Sequence, residues 1–138
     1  MLFTSLRHQG DQVIIAREHN VGLGCGKRCL IDFRLQLSDG GHLIEIKACC
    51  ISQAARTPRN LHFYFRNDKL GIQNDLRKLQ TLDCPEKKWI LLFVYPRPKD
   101  FEWTNAVNSL SYEFNRWKCV SNPEKFPEFA YLSLWEHR

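Results

Sequence analysis

The chain has 138 residues, 43% of them hydrophobic and 25% charged, enough for one domain with a buried core and too rich in apolar residues for a disordered segment. Its net charge is +5, from 20 Lys and Arg against 15 Asp and Glu, a basic excess that suits polyanionic partners without requiring one. No apolar run approaches the roughly 18 residues of a membrane span, and the opening MLFTSLRHQGDQ lacks the basic and apolar regions of a secretory signal; together these predict a cytoplasmic protein, a single domain over residues 1–138, whose six cysteines stay reduced.

Residues 2–9 read as a short helix. Val13–Glu18 is rich in β-formers and reads as a first strand, and Gly22–Lys27, with three glycines, as a loop. Leu30–Leu37 and His42–Cys49 read as strands joined by a turn at Ser38–Gly41. Leu61–Phe65 is aromatic and reads as a further extended piece. Over Asp68–Leu82 the period changes, and Ile72, Leu76 and Leu79 fall on one helical face. Trp89–Tyr95 is apolar on both faces, as a central strand is. Trp103, Val107, Leu110, Phe114 and Trp117 repeat at helical spacing, and Phe129–Trp135 reads as a last strand. After the hairpin, strands and helices alternate, which predicts an α/β fold: a mixed sheet with helices packed on it.

The hairpin carries the chemistry. Side chains alternate across a strand, so Phe33, Leu35 and Leu37 share a face with Ile44, Ile46 and Ala48 if the register is the one the turn suggests. A loop centred on Asp39-Gly40 pairs Leu37 with His42, and the ladder then runs through Arg34 opposite Glu45 to Asp32 opposite Lys47. Directly opposed residues project to the same side. Asp32, Glu45 and Lys47 therefore converge on one face, with the apolar set forming the core face. Two neighbouring carboxylates repel and favour a divalent cation between them; hard oxygen ligands suit Mg²⁺, with Mn²⁺ as a substitute. Such a cation activates water and screens a phosphate, and a lysine beside it stabilises developing charge. The competing expectation is an ordinary solvated face held by cross-strand Asp32–Lys47 and Arg34–Glu45 pairs.

Asp32, then a turn, then Glu45-Ile46-Lys47 on the next strand resembles the PD-(D/E)xK nuclease superfamily. The resemblance covers about Val13 to Tyr95. It implies the restriction-endonuclease-like fold, in which a helix leads into a three-strand meander, followed by a second helix and another strand. It implies Mg²⁺-dependent hydrolysis of phosphodiester bonds, in DNA foremost, with Asp32 and Glu45 as metal ligands, the Ile46 carbonyl completing the shell, and Lys47 as the catalytic lysine. Many members carry another glutamate on a first helix; residues 1–12 contain none, which leaves Glu18 as a substitute from the first strand. Gln73, on the helix after the lysine strand, is a secondary candidate on the same grounds. Cutting both strands of a duplex calls for two sites, hence a homodimer or a larger nucleoprotein complex. The alternative is a catalytically inactive nucleic-acid-binding or complex-forming subunit with the same fold.

Lys27 and Arg28 in a basic glycine-rich loop, and Arg56, Arg59, Arg66 and Lys69 around His62-Phe63-Tyr64-Phe65, are candidate nucleic-acid contacts. The G-x-G-x-G at Gly22–Gly26 precedes a strand, not a helix, and so is no dinucleotide fingerprint. Cys25, Cys29, Cys49 and Cys50 make a poor zinc set, because adjacent Cys49 and Cys50 point to opposite faces of a strand.

Overall fold

The computed structural model describes residues 3–8, 11–22, 28–51, 59–121 and 129–138. Strand β1 (Phe3–His8) pairs antiparallel with β2 (Asp11–Gly22), from Phe3 opposite Ala16 to His8 opposite Asp11. Of the helix expected over residues 2–9, the described part, Phe3–His8, is therefore a strand. So short a stretch cannot hold a helix alone, whereas the edge of the long β2 offers it a ladder.

Strands β3 (Arg28–Leu37) and β4 (Gly40–Cys50) form the expected hairpin in a different register. Leu37 pairs with Gly40, Leu35 with His42 and Arg34 with Leu43, so every partner lies two residues from its expected position. The turn chemistry explains the shift. Gly40 takes φ +127°, a conformation that side chains resist. Asp39 folds back onto His42 Nε2 at 2.8 Å and Lys87 Nζ at 2.7 Å. These partners, Lys87 foremost, hold its carboxyl at about 2. The His42 ring is fixed in turn by Trp89 Nε1, which donates to Nδ1 at 2.9 Å.

The chain then crosses over the sheet through two helices. Helix α1 (Leu61–Phe65) occupies the stretch expected to be extended. Asn60 Oδ1 caps it by accepting from Phe63 N at 2.9 Å, and Leu61 and Phe65, one helical turn apart, are buried. Helix α2 (Ile72–Gln80) buries Ile72, Leu76 and Leu79 as the spacing predicts. Strand β5 (Lys87–Tyr95) follows, parallel to β4.

Helix α3 (Asp100–Asn108) is started by Glu102, whose carboxylate accepts from Lys99 N at 3.0 Å. It ends well before Trp117. Ser109 bonds back to the Ala106 carbonyl, and residues 112–114 make a single 3₁₀ turn. Phe114 and Trp117 are buried as expected, but from that turn and from strand β6 (Trp117–Ser121). Strand β7 (Tyr131–His137) pairs with both β5 and β6. The result is a mixed α/β fold around one seven-stranded sheet, ordered β1-β2-β3-β4-β5-β7-β6. Among the described residues no helix is long and apolar enough to cross a membrane.

The register defines two unlike faces. Leu43, Glu45, Lys47 and Cys49 of β4 stand beside Lys88, Ile90, Leu92 and Val94 of β5, and the last three beside Trp135, Ser133 and Tyr131 of β7. The buried residues of all three helices gather with the apolar members of this set in one cluster. On the opposite face Phe33, Leu35, Ile44, Leu91, Phe93, Leu132 and Leu134 are only half-buried, and Ile46 is 42% exposed. The expected core face is thus inverted: the helices cover the side that carries Glu45 and Lys47. That side holds fully buried Leu43, Ile90, Leu92 and Val94 as well, so apolar content did not separate the two faces.

Candidate functional site

The β3–β4 ladder stops at Phe33 opposite Ile44. One residue further, the Asp32 side chain takes over the work of a backbone carbonyl: its Oδ2 accepts from Ile46 N at 2.8 Å. Counting the register on by one puts Asp32 opposite Glu45, not Lys47, so the two carboxyl groups are neighbours across the strands. On the other flank, Arg17 pairs with Phe33 and His19 with Ile31, while Glu18 between them takes φ +50°. Glu18 thus stands level with Asp32, one strand away, with an exposed side chain. Past this irregularity Cys29 and Ile31 enter the helix-covered core.

Glu45 is 5% exposed. Burial pushes its carboxyl up to about 7, and the Asp32 carboxylate beside it adds to the rise against the pull of Lys78. Lys78, on α2, ion-pairs with Glu45 Oε1 and donates to the Leu30 carbonyl at 2.9 Å. One turn earlier on α2, Asp75 Oδ2 meets Lys47 Nζ at 3.0 Å. Asp75 and Lys78 therefore answer Lys47 and Glu45 in sequence, as a helix antiparallel to β4 does. The cross-strand pairs of a solvated hairpin do not form. Lys47 pairs with Asp75, and Arg34 binds Glu86 at 3.3 Å and Gln36 at 3.0 Å.

The donors suit a hard divalent cation. Asp32 and Glu45 offer oxygens from adjacent strands, and burial makes the charge of Glu45 costly without a cation beside it. Among the described residues, no group of three or more His, Cys, Asp or Glu converges at metal-ligand range. A cation here would therefore have two carboxylates, with carbonyl and water oxygens making up its shell. That fits Mg²⁺, which keeps its waters, and not structural zinc.

The other candidates separate. Gln73 is buried and donates from Nε2 to the Phe65 carbonyl at 2.7 Å, which ties α2 to α1. Arg59 and Arg66 lie over the Phe63 ring at 4.0 and 4.1 Å, and Arg66 also pairs with Asp68. Arg28 and Lys69 are exposed. Lys27 and Arg56 lie outside the described residues. Sequence reasoning passed over Asp75 and Lys78. The available signal was their spacing of three on the flank of the Ile72-Leu76-Leu79 stripe, the side opposite Gln73.

Comparison of the chain with protein families, with characterised proteins and with solved structures finds no match.

Proposed function

We propose that the protein is a Mg²⁺-dependent nuclease of the PD-(D/E)xK type, acting on DNA. The observation that carries this reading is the register that sets Asp32 opposite Glu45 where the β3–β4 ladder ends, with Lys47 two residues further along the same face. The order of elements supports it in part: a β2-β3-β4 meander, then α2, then β5 parallel to β4, follows the order of the restriction-endonuclease-like core after its opening helix. The departure from that pattern is β1, a strand where many members have a glutamate-bearing helix.

In this reading Asp32 and Glu45, with the Ile46 carbonyl, hold the cation. When bound, Mg²⁺ supplies a Lewis acid for the scissile phosphate and lowers the pKa of water. Asp32 is aimed by the Ile46 N–H, which fixes Oδ2. Burial of Glu45 makes its charge costly without a cation and favourable with one. Lys47 presents an ammonium on the same face, oriented by Asp75, to stabilise charge developing on the phosphate. The basic excess, with exposed Arg28 and Lys69, draws the polyanion to this surface.

A second reading is favoured by one specific observation. Both lysines at the site are already paired with acids, Lys47 with Asp75 and Lys78 with Glu45. A self-neutralised site of this kind suits a subunit that keeps the fold and binds nucleic acid without cutting it.

The deciding experiment incubates the purified protein with plasmid, hairpin oligonucleotides and four-way junctions in Mg²⁺, Mn²⁺ or EDTA. A nuclease cleaves in the metals and not in EDTA. Asp32→Ala and Glu45→Ala each abolish cleavage, and Lys47→Ala lowers it by about two to three orders of magnitude. All three variants stay folded and bind nucleic acid. Binding without cleavage in either metal selects the second reading.

A further inference from the structure

Lys78 is held at the junction of two strands. Its ammonium is bonded to Glu45 Oε1 on β4 and to the Leu30 carbonyl on β3, on either side of the point where the ladder stops and Asp32 meets Glu45. Nothing in the PD-(D/E)xK resemblance assigns a role to this residue.

We infer that Lys78 is the built-in counter-ion of the Asp32–Glu45 pair, and that a divalent cation must displace it to bind. The inference rests on the metal-site reading given above. Three observations carry it. The register sets Asp32 opposite Glu45, and Glu45 is 5% exposed, so a positive charge beside them offsets the cost of holding two carboxyl groups there. Lys78 supplies that charge, whereas the other lysine of the face, Lys47, is engaged by Asp75 at 3.0 Å. The Lys78 side chain is 29% exposed, so its unbranched stem can swing outward without α2 leaving the sheet.

An ammonium and a divalent cation placed on the same carboxylate oxygen repel each other. One of them leaves, and the cation, with two carboxylates to bind, holds the stronger claim. Lys78 therefore acts as a positioning residue. It keeps Asp32 and Glu45 arranged while no cation is present, at the cost of weaker metal affinity. A purely structural Lys78, stitching α2 to β3, makes a different prediction: its removal lowers stability and leaves metal affinity where it was.

The test is calorimetric titration of Mn²⁺ into the wild-type protein and into Lys78→Met and Lys78→Arg at one fixed pH. Methionine keeps the stem and removes the charge. Lys78→Met is expected to bind Mn²⁺ about ten-fold more tightly than wild type. Lys78→Arg, which keeps the charge, is expected to stay at the wild-type value. Equal or weaker binding by Lys78→Met overturns the inference and leaves the metal site standing. No Mn²⁺ uptake by wild type or by Lys78→Met removes the metal site itself, and the inference with it. The wild-type protein gives an independent readout if Lys78→Met fails to fold: the ¹³Cε resonance of Lys78 is expected to move with Mg²⁺ at the midpoint of binding. A resonance that stays fixed while metal binds overturns the inference.

Discussion

Glu45 carries the conflict at the centre of the candidate site. It is buried, stands opposite a second carboxyl and has one ammonium to offset both effects. Its carboxyl lies at about 7 against an ordinary 4.5. The folded protein therefore holds a proton that the unfolded chain releases as pH rises through 4.5. A raised acid pKa means that folding stability is fully present below about pH 4.5 and is lost progressively as pH climbs to about 7. The loss from this group amounts to roughly 3 kcal/mol at most. In metal-free buffer, Glu45→Gln should flatten this part of the stability–pH curve and exceed wild type above neutrality. Urea denaturation across pH 4–8 measures both effects, and identical slopes for the two proteins would refute the assignment. The approach of Asp32 to Glu45 was legible because side-chain parity survives an even register error: a slip of two residues changes partners without changing faces. Which residue faces Asp32 was not legible, because it depended on where Gly40 and Asp39 close the turn.

At the scale of elements, helical periodicity was reliable in α2, where one side chain per turn reached the core, and an unbroken apolar run marked β5 as a central strand. The same periodicity misled over α3. Phe114 and Trp117 are indeed buried, yet the helix ends at Asn108, because Ser109 offers a closer partner for the last carbonyls. In α1 the aromatic composition outweighed two quieter signals, the Asn60 cap and the spacing of Leu61 and Phe65. The join between α1 and α2 shows what composition cannot. Gly71 is packed so closely that a Cβ there would lie 2.1 Å from the Arg66 carbonyl oxygen. Asp68 tightens the same turn by accepting from Leu70 N and Gly71 N at 2.9 and 2.8 Å. Gly71→Ala should therefore push α2 away from α1 and cost about 3 kcal/mol or more. Because α2 carries Asp75 and Lys78, the damage should reach the site as well. Thermal denaturation checks the first effect; a loss below 1 kcal/mol would mean that the turn relaxes freely.

The whole molecule is a sheet with its helices on one side. That asymmetry was hidden from the sequence, because β4 and β5 put large apolar residues on both faces: Leu43 and Ile90 on one, Ile44 and Leu91 on the other. The helices decide which face is buried, and α2, in the crossover between parallel β4 and β5, lies on the charged one, where Asp75 and Lys78 meet Lys47 and Glu45. The edge strands β1 and β6 escaped notice for a related reason. Edges bury little, and their pairing depends on β2 and β7 being there to receive them.

The strand order has a consequence for where the chain can be cut. Strand β7 comes last in the chain, yet it lies inside the sheet, bonded to β5 on one side and β6 on the other. It also sends Tyr131, Ser133 and Trp135 into the core. Strand β1 comes first and occupies an edge, with β2 as its single neighbour. Trimming from the two ends should therefore be unequal. Deleting residues 1–8 should leave a cooperative, folded protein, whereas ending the chain at Ala130 should strip two ladders at once and leave β6 with nothing to pair with. Limited proteolysis of the two truncated proteins distinguishes them: the first should resist, and the second should be degraded at the rate of an unfolded chain.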